Sequence, residues 1–116
     1  MKKSAIVIDD DDEFVDMLCV ALESLDIEIV GTGSNGQECL DLYLQHKPDF
    51  IFTDLTMPPY DIFYGIDKMK AIDVSSKIIV VTADTSMDTV QKLEERGITS
   101  VIFKPYTIDS IKKAIS

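Results

Sequence analysis

Five short apolar runs, separated by segments of helical period, restrict this chain to one kind of architecture. The runs are Ser4-Ala5-Ile6-Val7-Ile8, Ile27-Glu28-Ile29-Val30-Gly31, Asp49-Phe50-Ile51-Phe52-Thr53-Asp54, Lys77-Ile78-Ile79-Val80-Val81-Thr82 and Ser100-Val101-Ile102-Phe103-Lys104. Most of them lack the apolar–polar alternation of a half-exposed strand, and their near-continuous apolar character suits strands buried on both faces of a parallel sheet. The third run ends on a carboxylate, and Pro58 and Pro59 then forbid further pairing.

Between the runs, apolar residues return at helical spacing. Phe14, Val15, Leu18, Leu22 and Leu25 predict a helix from about Asp12 to Leu25. The stretch from Gly31 to Gly36 reads as a turn. Ser34 with Gln37 has capping-box spacing for a helix that carries Cys39, Leu40, Tyr43 and Leu44 inward. A helix from about Ile62 to Ile72 presents Phe63, Ile66 and Met69. Thr85 caps another that carries Met87, Val90 and Leu93 and closes at Gly97. Thr107 caps the last one, through Ile108, Ile111 and Ile115. Strict alternation of strand and helix implies a parallel sheet with right-handed crossovers and helices on both faces. The expected fold is a three-layer, doubly wound α/β sandwich of five strand–helix pairs, (βα)5, with residues 1–116 forming one domain.

Charge and composition exclude several functions. The net charge of −10, from 21 acidic and 11 basic residues, repels nucleic acid and anionic lipid. Direct binding to either is not expected, whereas a divalent cation or the basic face of a partner protein is compatible. No apolar run approaches the ~20 residues of a membrane span, and the stretch after Lys2-Lys3 is too short for a signal peptide, so a cytoplasmic protein is expected. Cys19 and Cys39 lack CxxC spacing, and with His46 they cannot furnish a zinc site. Both are expected to serve as small buried hydrophobes. The turn after the second run has neither GxGxxG nor a Walker lysine–hydroxyl pair, so it is no phosphate cradle.

The chemistry gathers where the strands end. In an open α/β sheet the carboxyl ends share one edge, and ligands bind there. Asp9 and Asp10 follow the first run, Asp54 ends the third, Thr82 the fourth and Lys104 the fifth. Two carboxylates ~4 Å apart repel by roughly 4 kcal/mol at an effective dielectric near 20, so this cluster needs a cation, a shared proton or a lysine. Oxygen-only donors suit Mg²⁺ or Mn²⁺. A carboxylate beside such an ion can act as nucleophile and become an aspartyl phosphate. Lys104 and the Thr82 hydroxyl are then placed to cover the phosphoryl oxygens during in-line transfer. The acids from Asp9 to Glu13 exceed what a helix dipole asks for, since that explains only two or three of them.

Ile8-Asp9-Asp10, Asp54-Leu55-Thr56-Met57-Pro58, Thr82-Ala83 and Lys104-Pro105 together resemble, in order and spacing, the signature of response-regulator receiver domains of the CheY-like type. The resemblance covers essentially the whole chain and implies strand order 2-1-3-4-5. It further implies that Asp54 accepts a phosphoryl group from the phosphohistidine of a sensor kinase or phosphotransfer protein. Asp10, Asp54 and the carbonyl of Thr56 would hold Mg²⁺ with help from Asp9, while Thr82, Lys104 and the Ala83 N–H contact the phosphoryl oxygens. A cis Lys104-Pro105 bond is implied too. Thr56 and Asp84 match positions that tune acyl-phosphate hydrolysis. The chain would be no enzyme beyond its own phosphorylation and dephosphorylation. It would signal through a phosphorylation-dependent surface to a downstream protein, as a monomer or weak homodimer.

The sequence also departs from the pattern. Ile62 follows Asp61 where the family usually has glycine, and Ile is costly there if φ is positive. Val101 stands three residues before the lysine, where Tyr or Phe is common, and Tyr106 follows Pro105 as another aromatic. These departures keep open a receiver-like interaction module that signals without phosphorylation. A phosphatase of the haloacid dehalogenase type is the remaining alternative, because Asp9 and Asp11 have D-x-D spacing. Against it stand Glu13 and the lack of room for a cap domain.

Overall fold

The apolar runs become strands because their side chains can pack on both sides of one sheet. A computed structural model describes residues 2–54, 62–71, 75–98 and 100–116. The strands are β1 (Lys3–Ile8), β2 (Ile27–Gly33), β3 (Phe50–Thr53), β4 (Lys77–Thr82) and β5 (Ser100–Phe103). They pair in parallel in the order β2-β1-β3-β4-β5, as expected. The helices are α1 (Asp12–Ser24), α2 (Gly36–His46), α3 (Ile62–Ala71), α4 (Met87–Glu95) and α5 (Ile108–Ile115).

Strand alternation divides the core into two layers. Ala5 and Val7, Phe50 and Phe52, Ile79 and Val81, and Ile102 pack with Val15, Leu18 and Leu22 of α1 and Ile111 of α5. Ile6 and Ile8, Ile51, and Val80 face the other way, toward Cys39 and Tyr43 of α2, Ile66 of α3 and Leu93 of α4. Val101 joins this second layer. Among the described residues no helix is long and apolar enough to cross a membrane.

Several local expectations are corrected. β2 runs past Gly31, the end of its apolar run, to Gly33, which was expected in the turn. At Gly31 a Cβ would sit 2.8 Å from Leu42 Cδ2, which a turn of that flexible side chain could relieve, and at Gly33 one would sit 3.0 Å from Glu38 Cβ, so α2 packs closely on β2 at both. The cap of α2 is Asn35, whose side chain accepts from Glu38 N–H, while the Glu38 carboxylate accepts from Ser34 N–H at 2.7 Å and from its hydroxyl at 2.6 Å. Ser86, not Thr85, caps α4. Leu44 is exposed, and Cys19 is half-buried rather than buried. Cys39 is fully buried, and burial pushes its thiol up to about 12, as suits an inert core residue. Thr107 caps α5 with a reciprocal capping box, as its sequence suggested in part. Ile62 is the first helical residue of α3, so no positive φ is demanded of it. Ile72 and the segment 55–61 lie outside the described residues.

Candidate functional site

The sheet's own ladder extends one residue beyond three strands and thereby fixes three of the candidate site residues. Asp9 N–H donates to Gly33 C=O at 3.0 Å, Asp54 N–H to Ile8 C=O at 3.0 Å, and Lys104 N–H to Thr82 C=O at 2.8 Å. Carried one step past the strand ends, the alternation puts Asp9, Asp54 and Lys104 on the α1/α5 side, whereas Thr82 falls with Val80 on the other. The Lys104-Pro105 peptide is cis, as the resemblance implied.

The Lys104 ammonium lies between two carboxylates. Its Nζ donates to Asp9 Oδ2 at 2.9 Å and to Asp54 Oδ2 at 3.3 Å. Asp9 is 2% exposed, and its second oxygen accepts from Asp11 N–H at 3.0 Å, so both oxygens have partners. Partial burial works against the Lys104 charge. The bond to Asp9 and the charges of Asp54 and Asp9 together outweigh it, holding the ammonium above its ordinary pKa of 10.5. Asp10 is exposed at the rim. One carboxylate oxygen from each of Asp9, Asp10 and Asp54 lies within 4.8 Å of the other two. An all-oxygen set fits a hard divalent cation such as Mg²⁺ and gives no ligand suited to a soft metal.

The five consecutive acids thus have separate tasks. Asp9 and Asp10 belong to the cluster, and Asp11 caps α1 by accepting from Phe14 N–H. Asp12 and Glu13 occupy the first turn, where negative charge complements the helix dipole.

Thr82 is buried, and its hydroxyl oxygen accepts from Asp84 N–H at 3.0 Å. Asp84 accepts in turn from Ser86 N–H at 2.9 Å and from the Thr89 hydroxyl at 2.6 Å. These bonds hold the Asp84 carboxyl below its ordinary range and tie the end of β4 to the first turn of α4. Thr56 lies outside the described residues.

One neighbour of the site escaped the sequence reading. The Phe14 ring stands beneath the Lys104 ammonium, with Nζ 4.1 Å from the ring centroid. Only its place one turn into α1, just after the acidic run, hinted at this.

Comparison with known proteins gives one result. The profile described as "Response regulator receiver domain" matches residues 5–116. The chain is 34% identical over 115 residues to the transcriptional regulatory protein PdtaR of Mycobacterium tuberculosis, covering 95% of this chain and 54% of that protein. It is 32% identical over 82 residues to sporulation initiation phosphotransferase F of Bacillus subtilis, covering 71% of this chain and 66% of that protein. It therefore spans less than two thirds of the length of these two relatives. Its fold superposes with a TM-score of 0.90 on the CheX–CheY–BeF₃–Mg²⁺ complex from Borrelia burgdorferi at 22% identity, covering 97% of this chain and 86% of that one. With a sheet of this order and a match over nearly its full length, the chain belongs to the response-regulator receiver family, the phosphoacceptor domains of two-component systems.

Proposed function

We propose that Asp54 is the phosphoacceptor and that residues 1–116 work as one receiver domain. The observation that carries this reading is the ammonium of Lys104 set between Asp9 and Asp54 at 2.9 and 3.3 Å. Asp54 Oδ attacks the phosphorus of a phosphohistidine in a histidine kinase or phosphotransfer protein. The O–P bond forms as the P–N bond breaks, and the imidazole leaves with the electron pair and takes up a proton. Lys104 stands where it can neutralise a phosphoryl oxygen. The Thr82 hydroxyl accepts from Asp84 through a lone pair and keeps its own hydrogen to donate to another. Asp9, Asp10 and Asp54, with the Thr56 carbonyl, would hold Mg²⁺ or Mn²⁺. When bound, the ion supplies charge neutralisation at the transferred group. The resulting state is read by a downstream protein.

Incubation with a small-molecule phosphodonor and Mg²⁺ is expected to add one phosphoryl mass to the intact protein, and Asp54→Ala to abolish the gain. No gain with any donor or kinase would overturn the proposal. Packing of Val101 into the α2–α4 layer, at the position where the resemblance leads one to expect an aromatic, favours a second reading, a module that signals without phosphorylation. Mg²⁺ binding without any mass gain would select it.

A further inference from the structure

The ammonium of Lys104 has an aromatic partner besides its two carboxylates, and that partner leads out of the site. Its distance of 4.1 Å from the Phe14 ring centroid is well inside the ~6 Å reach of a cation–π contact. Phe14 meets Tyr106 edge to face, with ring centroids 5.8 Å apart and planes at 78°, an arrangement that aromatic quadrupoles favour. Tyr106 lines an open apolar groove between α1 and α5 together with Met17, Val20 and Ile108. Those three side chains are largely exposed. An unbroken row of contacts therefore runs from Asp54 through Lys104, Phe14 and Tyr106 to that surface.

The row lies on one side of the sheet. Phe14 and Tyr106 pack against the α1/α5 layer, whereas Val101 belongs to the opposite one. We propose that Phe14 is a positioning residue for Lys104 and that, through Tyr106, it passes the state of Asp54 to the α1–α5 surface. This rests on Asp54 being the phosphoacceptor. A phosphoryl group there sets new negative oxygens beyond the present Oδ2, which is 3.3 Å from the ammonium. The cation is drawn toward them and away from the ring. Phe14 and its edge-on partner then repack, and the groove beside Tyr106 changes with them. Coupling of this sort is carried by packed side chains that have two arrangements.

The test uses the whole chain labelled with ¹³C at the methionine methyls and titrated with beryllofluoride, a phosphoryl mimic, in the presence of Mg²⁺. The ¹⁹F signal of bound mimic reports the acid site, and the Met17 methyl reports the groove. At saturation of the ¹⁹F signal the wild-type Met17 resonance is expected to shift. Phe14→Leu and Tyr106→Leu should each lose that shift, and Phe14→Tyr, which restores a ring, should regain it. An undiminished shift in both leucine variants overturns the coupling, as does the absence of a shift in wild type with the mimic bound. Should Phe14→Leu fail to fold, Tyr106→Leu decides alone, since Tyr106 lies outside the acid site. Failure of the wild type to bind the mimic at all would instead count against Asp54 as acceptor, an outcome that the ¹⁹F signal separates from the others.

Discussion

Lys104 shows what the acid cluster costs at the level of a single residue. Asp9 is buried, and an ionised carboxylate is tolerated there because the ammonium and the Asp11 N–H occupy its two oxygens. Removing one member of a buried pair typically costs 3–5 kcal/mol. The Lys104 side chain keeps 22% of its exposure, so Lys104→Met is expected to destabilise the protein by about 2–3 kcal/mol, at or below the low end of that range. Urea unfolding at low ionic strength without divalent cations measures it, and an unchanged midpoint would mean that water already screens the carboxylates. Because the folded pKa of Lys104 is raised, its contribution is fully present below the ordinary value of 10.5 and is lost as pH rises through the folded value. The difference between wild type and variant should therefore hold from neutral pH upward and shrink only above that point. The identities of Asp9, Asp54 and Lys104 could be read in the sequence, since each directly follows an apolar run. The Phe14 contact could not, because it depends on how α1 is rotated against a lysine from the far end of the chain.

At the scale of elements, misplaced boundaries have a common cause. Ser34 and Asn35, and likewise Thr85 and Ser86, are neighbouring residues of similar capping ability, so local sequence offers two helix starts one residue apart. The structure places Asn35 and Ser86 at the caps. Ser86 accepts from Thr89 N–H at 3.3 Å and makes the α4 cap. Ser86→Ala is accordingly expected to cost about 1 kcal/mol and Thr85→Ala only a few tenths, as thermal unfolding of the two variants would show. Equal losses would contradict the assignment. The end of β2 at Gly33 was hidden for a similar reason: the close packing of α2 there is invisible to a local reading. That same junction predicts a pH response. Hydrogen bonds from the Ser34 hydroxyl and the Ser34 N–H hold Glu38 below its ordinary pKa of 4.5. A lowered folded value means a contribution present above 4.5 and lost as pH falls through the folded value. A carboxyl ¹³C titration should place the Glu38 midpoint below 4.5, and Ser34→Ala should move it partway back, because the backbone bond survives. A wild-type midpoint at or above 4.5 would dismiss the lock.

For the whole molecule, strand order and layering followed from strict alternation plus the family resemblance, and both agree with the structure. Less legible was how a chain of net charge −10 balances an acid cluster against one bridging lysine. Added salt relieves general self-repulsion by screening, whereas an ion that binds only the folded state stabilises by mass action, by about 2.7 kcal/mol at a hundredfold excess over its Kd. The two effects separate when MgCl₂ is compared with NaCl at equal ionic strength. Greater stabilisation by MgCl₂ is expected for the wild type. Asp10 is exposed, so Asp10→Asn leaves the core packing intact while weakening the oxygen cluster. In that variant the excess given by MgCl₂ should vanish and the NaCl response should remain. Equal curves for the two salts in wild type would mean that the acids are compensated without a bound ion, and the case for a divalent cation at Asp9, Asp10 and Asp54 would fall.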